Sequence, residues 1–91
     1  MIYLIESTQY YKIGFTKNIN KRMKSYSTHN PDYILIDSMD GTKNEELFLH
    51  NLCKNFHYKL EWYHKNDTIL HIWNYYKNKI YDNTRTDTTH L

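Results

Sequence analysis

Four side chains in this sequence have types and settings suited to phosphodiester chemistry: Tyr3, Lys12, Arg22 and Glu46. Glu46 lies in a segment with helical apolar spacing, on the shoulder of the apolar stripe at about 100° per residue. A carboxylate at the rim of a core is partly desolvated and can point into a cleft. That is where a hard divalent cation is held by one or two carboxylates, phosphate oxygens and water. His50 follows one turn later and His57 falls on nearly the same flank. A Glu46–His50–His57 zinc cluster and a plain surface glutamate paired with His50 are both compatible with this spacing. Arg22 stands among Lys17, Lys21 and Lys24. Its guanidinium offers a fixed fork of donors to a phosphate and stays charged at any working pH. Tyr3, between Ile2 and Leu4, places a phenol on the opposite face of an extended run, where it can bond a water or, if its pKa is lowered, act as its base. Lys12 alternates with Tyr11 and Ile13 and therefore faces a cleft or solvent. The bland alternatives are a solubilising arginine, a packed strand tyrosine and an ordinary charged surface.

The elements that must carry these residues follow from pattern. Met1–Glu6 (MIYLIE) and Tyr10–Phe15 (YYKIGF) are β-prone runs joined by the short polar link Ser7–Gln9, which predicts a hairpin. Gly14 near the end of the second run marks a bend or a close backbone approach. Thr16 or Asn18 can cap a helix reaching about Ser27, with Ile19, Met23 and Tyr26 on one apolar face. Pro31 stops it. Tyr33–Met39 is a third strand. Thr42 and Glu45 form a capping-box pattern for a second helix to about His57, with Phe48, Leu49, Leu52, Cys53 and Phe56 as its buried stripe. Leu60–Tyr63 (LEWY) is short and extended. A third helix starts at Asn66 or Asp67 and packs through Ile69, Ile72, Trp73 and Tyr76. Trp62 and Trp73 both read as core. From Asp82 the chain is polar up to its last residue, which predicts an unstructured tail over 82–91. One domain over 1–81 accounts for the rest.

Bulk properties exclude several classes. A chain of 91 residues builds one modest core. Cys53 is the single cysteine, so neither an internal disulfide nor a cysteine zinc site is available, in keeping with a reducing, intracellular setting. No apolar run is long enough to span a bilayer and no secretory leader is visible. The net charge of +2 is unevenly spread. Residues 1–30 carry five basic side chains against Glu6, a balance of +4, whereas residues 31–67 carry four basic and seven acidic ones, a balance of −3. A phosphate-facing surface beside a cation-holding region fits this split, as does a simple solvated mixture. The 10 tyrosines are compatible with base stacking and equally with codon bias in an AT-rich genome.

Taken in order, these residues resemble the GIY-YIG endonuclease superfamily, and most nearly its compact phage and viral branch. Ile2–Tyr3 stands at the end of the first motif, and Lys12-Ile13-Gly14 at a KIG-type second motif. Thr16-Lys17-Asn18 with Arg22 matches the capped arginine helix, Glu46, Leu49 and His50 match E-x-x-L-H, and Glu61-Trp62-Tyr63 matches a late EW-aromatic motif. The set spans about residues 1–76. It implies an α+β fold with a small three-stranded antiparallel sheet flanked by helices. It further implies a DNA endonuclease in which Tyr3 assists water activation, Arg22 binds the scissile phosphate and Glu46 holds one Mg²⁺ or Mn²⁺. Lys12 would assist at the phosphate, and Lys17, Lys21 and Lys24 would bind flanking DNA. No small-molecule cofactor is implied, and an oligomer is neither required nor excluded. Met1 replaces the first-motif glycine, Lys12 the second-motif tyrosine, and Phe15 a lysine of the repair-type members. The Lys12 exchange leaves a second reading open: a catalytically impaired DNA-binding or interaction domain on the same fold.

Overall fold

The computed structural model describes residues 1–89, with side chains through residue 80. The first hairpin forms as its pattern dictates. Strand β1 (Ile2–Glu6) pairs antiparallel with β2 (Tyr10–Phe15), and Ser7 N–H donates to the Tyr10 carbonyl across the link (2.9 Å). Helix α1 (Ile19–His29) starts at Asn18, whose side chain accepts from the Lys21 amide (3.0 Å). Thr16 buttresses that cap by accepting from the Asn18 amide (3.1 Å). Both cap candidates are therefore used, in different roles.

Strand β3 (Ile34–Met39) returns to pair with β1, with a register shift between Leu4 and Ile5. Helix α2 (Lys43–Leu52) opens on the full capping box: Glu45 N–H donates to Thr42 Oγ1 and Thr42 N–H to Glu45 Oε1. It ends at Leu52, earlier than its apolar spacing predicts, and a 3₁₀ turn (Lys54–Phe56) leads into the next strand. The buried stripe is narrower too. Leu49 and Cys53 are fully buried, but Phe48 and Leu52 are 52% and 41% exposed, because the helix lies over the sheet on only one flank.

The sheet has five strands where three were expected. Strands β4 (His57–Lys59) and β5 (Trp62–His64) form a small hairpin that adds to β2, giving the order β3-β1-β2-β5-β4. Strands of three residues are too short to show an alternation of polarity. Here they are held by pairing with β2 over Tyr10, Tyr11 and Lys12. Helix α3 (Asp67–Thr89) is capped by Asn66, which accepts from the Ile69 amide (3.1 Å). It extends into the polar segment for which composition predicts no regular structure. Side chains beyond residue 80, and residues 90–91, lie outside the described residues.

Pairing β1 centrally buries both of its faces. Ile2 and Leu4 join Ile13, Leu49, Tyr63, Ile69 and Trp73 in the core beneath α2 and α3. Tyr3 emerges on the other face, toward α1. Opposite Tyr3 in the ladder is Gly14, where a Cβ would lie 2.3 Å from Tyr3 Cζ. That is the close approach the glycine permits: the phenol ring lies flat on bare backbone. Of the two tryptophans, Trp73 is core, while Trp62 is half-buried and lines a cleft.

Candidate active site

Glu46 closes the first turn of α2, where the positive end of the helix dipole favours negative charge. Its residue surface is 0% exposed. Oε1 accepts from Lys43 Nζ at 2.6 Å, but Oε2 is buried without a hydrogen-bond partner. His50, one turn on, presents Nε2, which is also buried and unpaired, 3.8 Å from Glu46 Oε2. The same nitrogen lies 3.8 Å from Glu61 Oε2. Two buried polar atoms of this kind cost free energy unless something bridges them. One ligand atom from each of Glu46, His50 and Glu61 lies within 4.8 Å of the others. Two carboxylate oxygens and an imidazole nitrogen around one point suit a divalent cation. The orphaned atoms Glu46 Oε2 and His50 Nε2 are themselves the donors such a cation would take.

The outer side of His50 is tied down by Tyr63, whose hydroxyl bonds Nδ1. Burial pushes the Tyr63 phenol well above its ordinary range, so it stays protonated and can either donate to Nδ1 or accept from it. If Nδ1 carries the proton, Nε2 has a lone pair aimed between the two carboxylates, the form a cation requires. The cluster lines a cleft of about 590 Å³ that also includes Lys43, Lys54 and His57. His57 is not a third ligand, as the zinc alternative had it: its Nε2 pairs with the Leu60 carbonyl at 2.7 Å. Glu61 takes that place. Sequence reasoning quoted Glu61 only as part of a motif. Its carboxyl position depends on the β5 ladder, where Ile13 N–H donates to the Glu61 carbonyl (3.2 Å).

On the α1 face of the sheet a second group forms. Lys12 Nζ donates to the Tyr26 hydroxyl at 2.7 Å, and that hydroxyl bonds the Tyr3 hydroxyl at 3.1 Å. Tyr26 was read from its spacing as a packing residue. It does cover the sheet, but its oxygen is the hub joining Lys12 and Tyr3. Burial alone would raise the Tyr26 phenol; the bonds with Lys12 and Tyr3 and the charges of Lys12 and Arg22 outweigh it and bring the pKa below the ordinary tyrosine value. Tyr3 goes the other way. Burial, then its bond with Tyr26, push its phenol well above the ordinary value, although Arg22 opposes this. Of the two phenols, Tyr26 is thus the more acidic, and either hydroxyl can donate in the bond between them.

Glu61 links the two groups. The neighbouring His50 and the Lys12 ammonium hold its carboxyl below the usual carboxylate range, against the effect of burial. The Glu61 charge is also felt at Tyr3. Tyr3 and Lys12 thus meet at Tyr26 with Arg22 beside them, and Glu46 joins through Glu61. Arg22 is exposed and lines a shallow depression of about 300 Å³ with Lys21, Asn18 and Ser25. Lys17, Lys21 and Lys24 are exposed on and just before α1.

A mixed α+β fold with an antiparallel sheet flanked by helices, and an acidic–imidazole cluster across the sheet from a basic helix, are consistent with a GIY-YIG-nuclease-like architecture. The T5orf172 domain model matches residues 1–78, and the chain belongs to that family, a GIY-YIG-associated domain. The match supports the superfamily rather than any one branch of it. No curated protein and no solved structure matches the chain with significant similarity. Among the described residues no helix is long and apolar enough to cross a membrane.

Proposed function

We propose that this chain is a divalent-metal-dependent endonuclease that hydrolyses phosphodiester bonds of DNA, using Mg²⁺ or Mn²⁺. The observation that carries the reading is the buried, unpaired Glu46 Oε2 facing the unpaired His50 Nε2, with Glu61 completing the set. A cation bound there supplies positive charge against the developing charge on phosphate oxygens. The remaining roles belong to the chain. Arg22 clamps the scissile phosphate through its guanidinium fork. Tyr26, its pKa lowered beside Lys12, acts in its phenolate form: having released its proton to solvent, it accepts one from the attacking water, while Lys12 and the Tyr3 hydroxyl hydrogen-bond to the phenolate oxygen. Lys12 keeps Tyr26 prepared and adds positive charge at the phosphate. Lys17, Lys21 and Lys24 meet flanking phosphates. The KIG-type second motif supports placement in the compact phage and viral branch, acting on DNA inside a cell.

The test is nicking of supercoiled plasmid. Wild-type protein should nick with Mg²⁺ or Mn²⁺ and not in EDTA. Glu46→Ala, and Glu46→Gln of nearly the same volume, should each lower the rate about a hundredfold or more. Cleavage by both variants at the wild-type rate would overturn the assignment. Lys12 at the second-motif tyrosine position favours one other reading, a DNA-binding domain without cleavage. That reading requires salt-sensitive binding and no nicking with any divalent metal.

A further inference from the structure

The β4–β5 hairpin separates two clefts, and Leu60 at its tip lines both. One is the Glu46–His50–Glu61 cleft. The other, about 310 Å³, is walled by Tyr10, Tyr33, Tyr58 and Trp62, with Lys59 at its side. Its aromatic side chains are already arranged in two pairs. Tyr10 and Tyr58 stack with ring centres 4.3 Å apart, and Tyr33 meets Trp62 edge to face at 5.1 Å. The file continues without a break into the site described above. Tyr33 rests against Tyr26 at 5.7 Å, and the Lys12 ammonium lies 5.1 Å from the Tyr26 ring centre and 5.7 Å from that of Trp62.

We infer that this aromatic cleft receives one unpaired base of the nucleic-acid strand whose phosphate lies at Lys12 and Arg22. The inference rests on the nucleic-acid reading above and adds a substrate class to it: single-stranded, frayed or extruded nucleotides in preference to intact duplex. Three features point to a base. Four aromatic rings dominate the cleft, with Lys59 as its cation and Leu60 as its one aliphatic side chain; base stacking on aromatics is tolerant of sequence and strong for its size. Lys12 and Lys59 are the ladder partners of Trp62 on its two sides, so an ammonium stands on either side of the ring to meet a nucleotide's flanking phosphates. A base inside a duplex is covered by its neighbours and cannot enter, so stacking here requires it to be unpaired. The wall is also held in an unusual shape. Leu60 takes a left-handed backbone (φ 52°), which a leucine rarely adopts, and is 78% exposed. The His57–Leu60 bond fixes that turn, and strained backbone of this kind gathers at binding sites.

The tryptophans make the test direct. Trp73 is buried, so fluorescence quenching on stacking reports Trp62. An oligothymidylate of about ten nucleotides and the same strand annealed to its complement are titrated into the full-length protein, in EDTA and at one fixed salt concentration. The single strand should bind more tightly and quench, and the duplex should bind more weakly with little quenching. Read by the fluorescence anisotropy of an end-labelled strand, which needs no tryptophan reporter, Trp62→Leu, Tyr33→Ala and Tyr58→Ala should each weaken single-strand binding by roughly tenfold while leaving duplex binding unchanged. Tyr58 is half exposed on the hairpin, so its truncation keeps the test valid should either of the others disturb folding. Equal affinity for the two forms, or single-strand binding by Tyr58→Ala at wild-type strength, would overturn the inference. Because EDTA removes cleavage from the measurement, failure of the nuclease assignment is detected separately, by the plasmid assay.

Discussion

At the level of single residues, the site depends on contacts that allow no extra atom or missing charge. Gly14 is the clearest case. A methyl group there would occupy the space of the Tyr3 ring, with Cβ 2.3 Å from Cζ and 2.4 Å from the hydroxyl. Tyr3 is fully enclosed and cannot swing aside without disturbing Tyr26. Gly14→Ala should therefore destabilise the fold by about 1–3 kcal/mol, the usual cost of overpacking. It should also lower nicking more than that loss of stability explains. Denaturant unfolding and a rate measured well below the melting temperature separate the two effects. Tyr26 gives a second prediction. Its phenol is lowered chiefly by Lys12, against burial, so Lys12→Met should move it upward. Ultraviolet titration of phenolate against a Tyr26→Phe reference checks this; an unchanged titration would mean that Lys12 does not act through Tyr26.

The residue level also shows where sequence reading succeeds and where it stops. Glu46 was legible because its helical phase put it at the edge of an apolar stripe. Tyr3 and Lys12 were legible as outward positions of a hairpin with a strict alternation. Tyr26 was not, because its spacing is that of a packing residue and its function lies in a single oxygen. Glu61 was not, because a carboxylate in the two-residue turn between β4 and β5 has no phase to read.

At the level of elements, local signals carried the first hairpin, the Asn18 and Thr42 caps and the start of α3 at Asn66. The β4–β5 hairpin exists through its pairing with β2, a non-local cause that no window of sequence contains. The position of α3 depends on another non-local contact. Asp37 on β3 accepts from Trp73 Nε1 at 2.9 Å and from Lys77 Nζ at 2.8 Å. Burial would raise the Asp37 carboxyl, but the bonds from Lys77, Trp73 and the Ser38 amide overcome it and hold the pKa below the ordinary aspartate value. The folded pKa is depressed, so this stabilisation is fully present above the unfolded-state value of roughly 4 and is lost as pH falls through the folded value. Asp37→Asn should lower stability at neutral pH by about 1–2 kcal/mol. The gap between variant and wild type should close on acidification below that window. Parallel stability curves down to pH 2, with a constant gap, would show that the Asp37 charge contributes nothing.

On the scale of the whole molecule, the uneven charge of the sequence takes on a spatial meaning. The basic N-terminal third becomes β2 and α1, which put Lys12 and Arg22 beside the Tyr3–Tyr26 pair. The acidic middle becomes α2 and the β4–β5 turn, which bring Glu46 and Glu61 to one point. The sheet lies between them, and Glu61, at its end, is sensed by both groups. The central claim is that this point holds a divalent cation, and a crystal soaked in Mn²⁺ tests it most directly. One anomalous peak is expected, about 2.0–2.3 Å from oxygens of Glu46 and Glu61 and from His50 Nε2, and it should disappear in Glu46→Gln. No peak at the cluster in wild-type crystals, with Glu46 Oε2 and His50 Nε2 still unbridged, would contradict it.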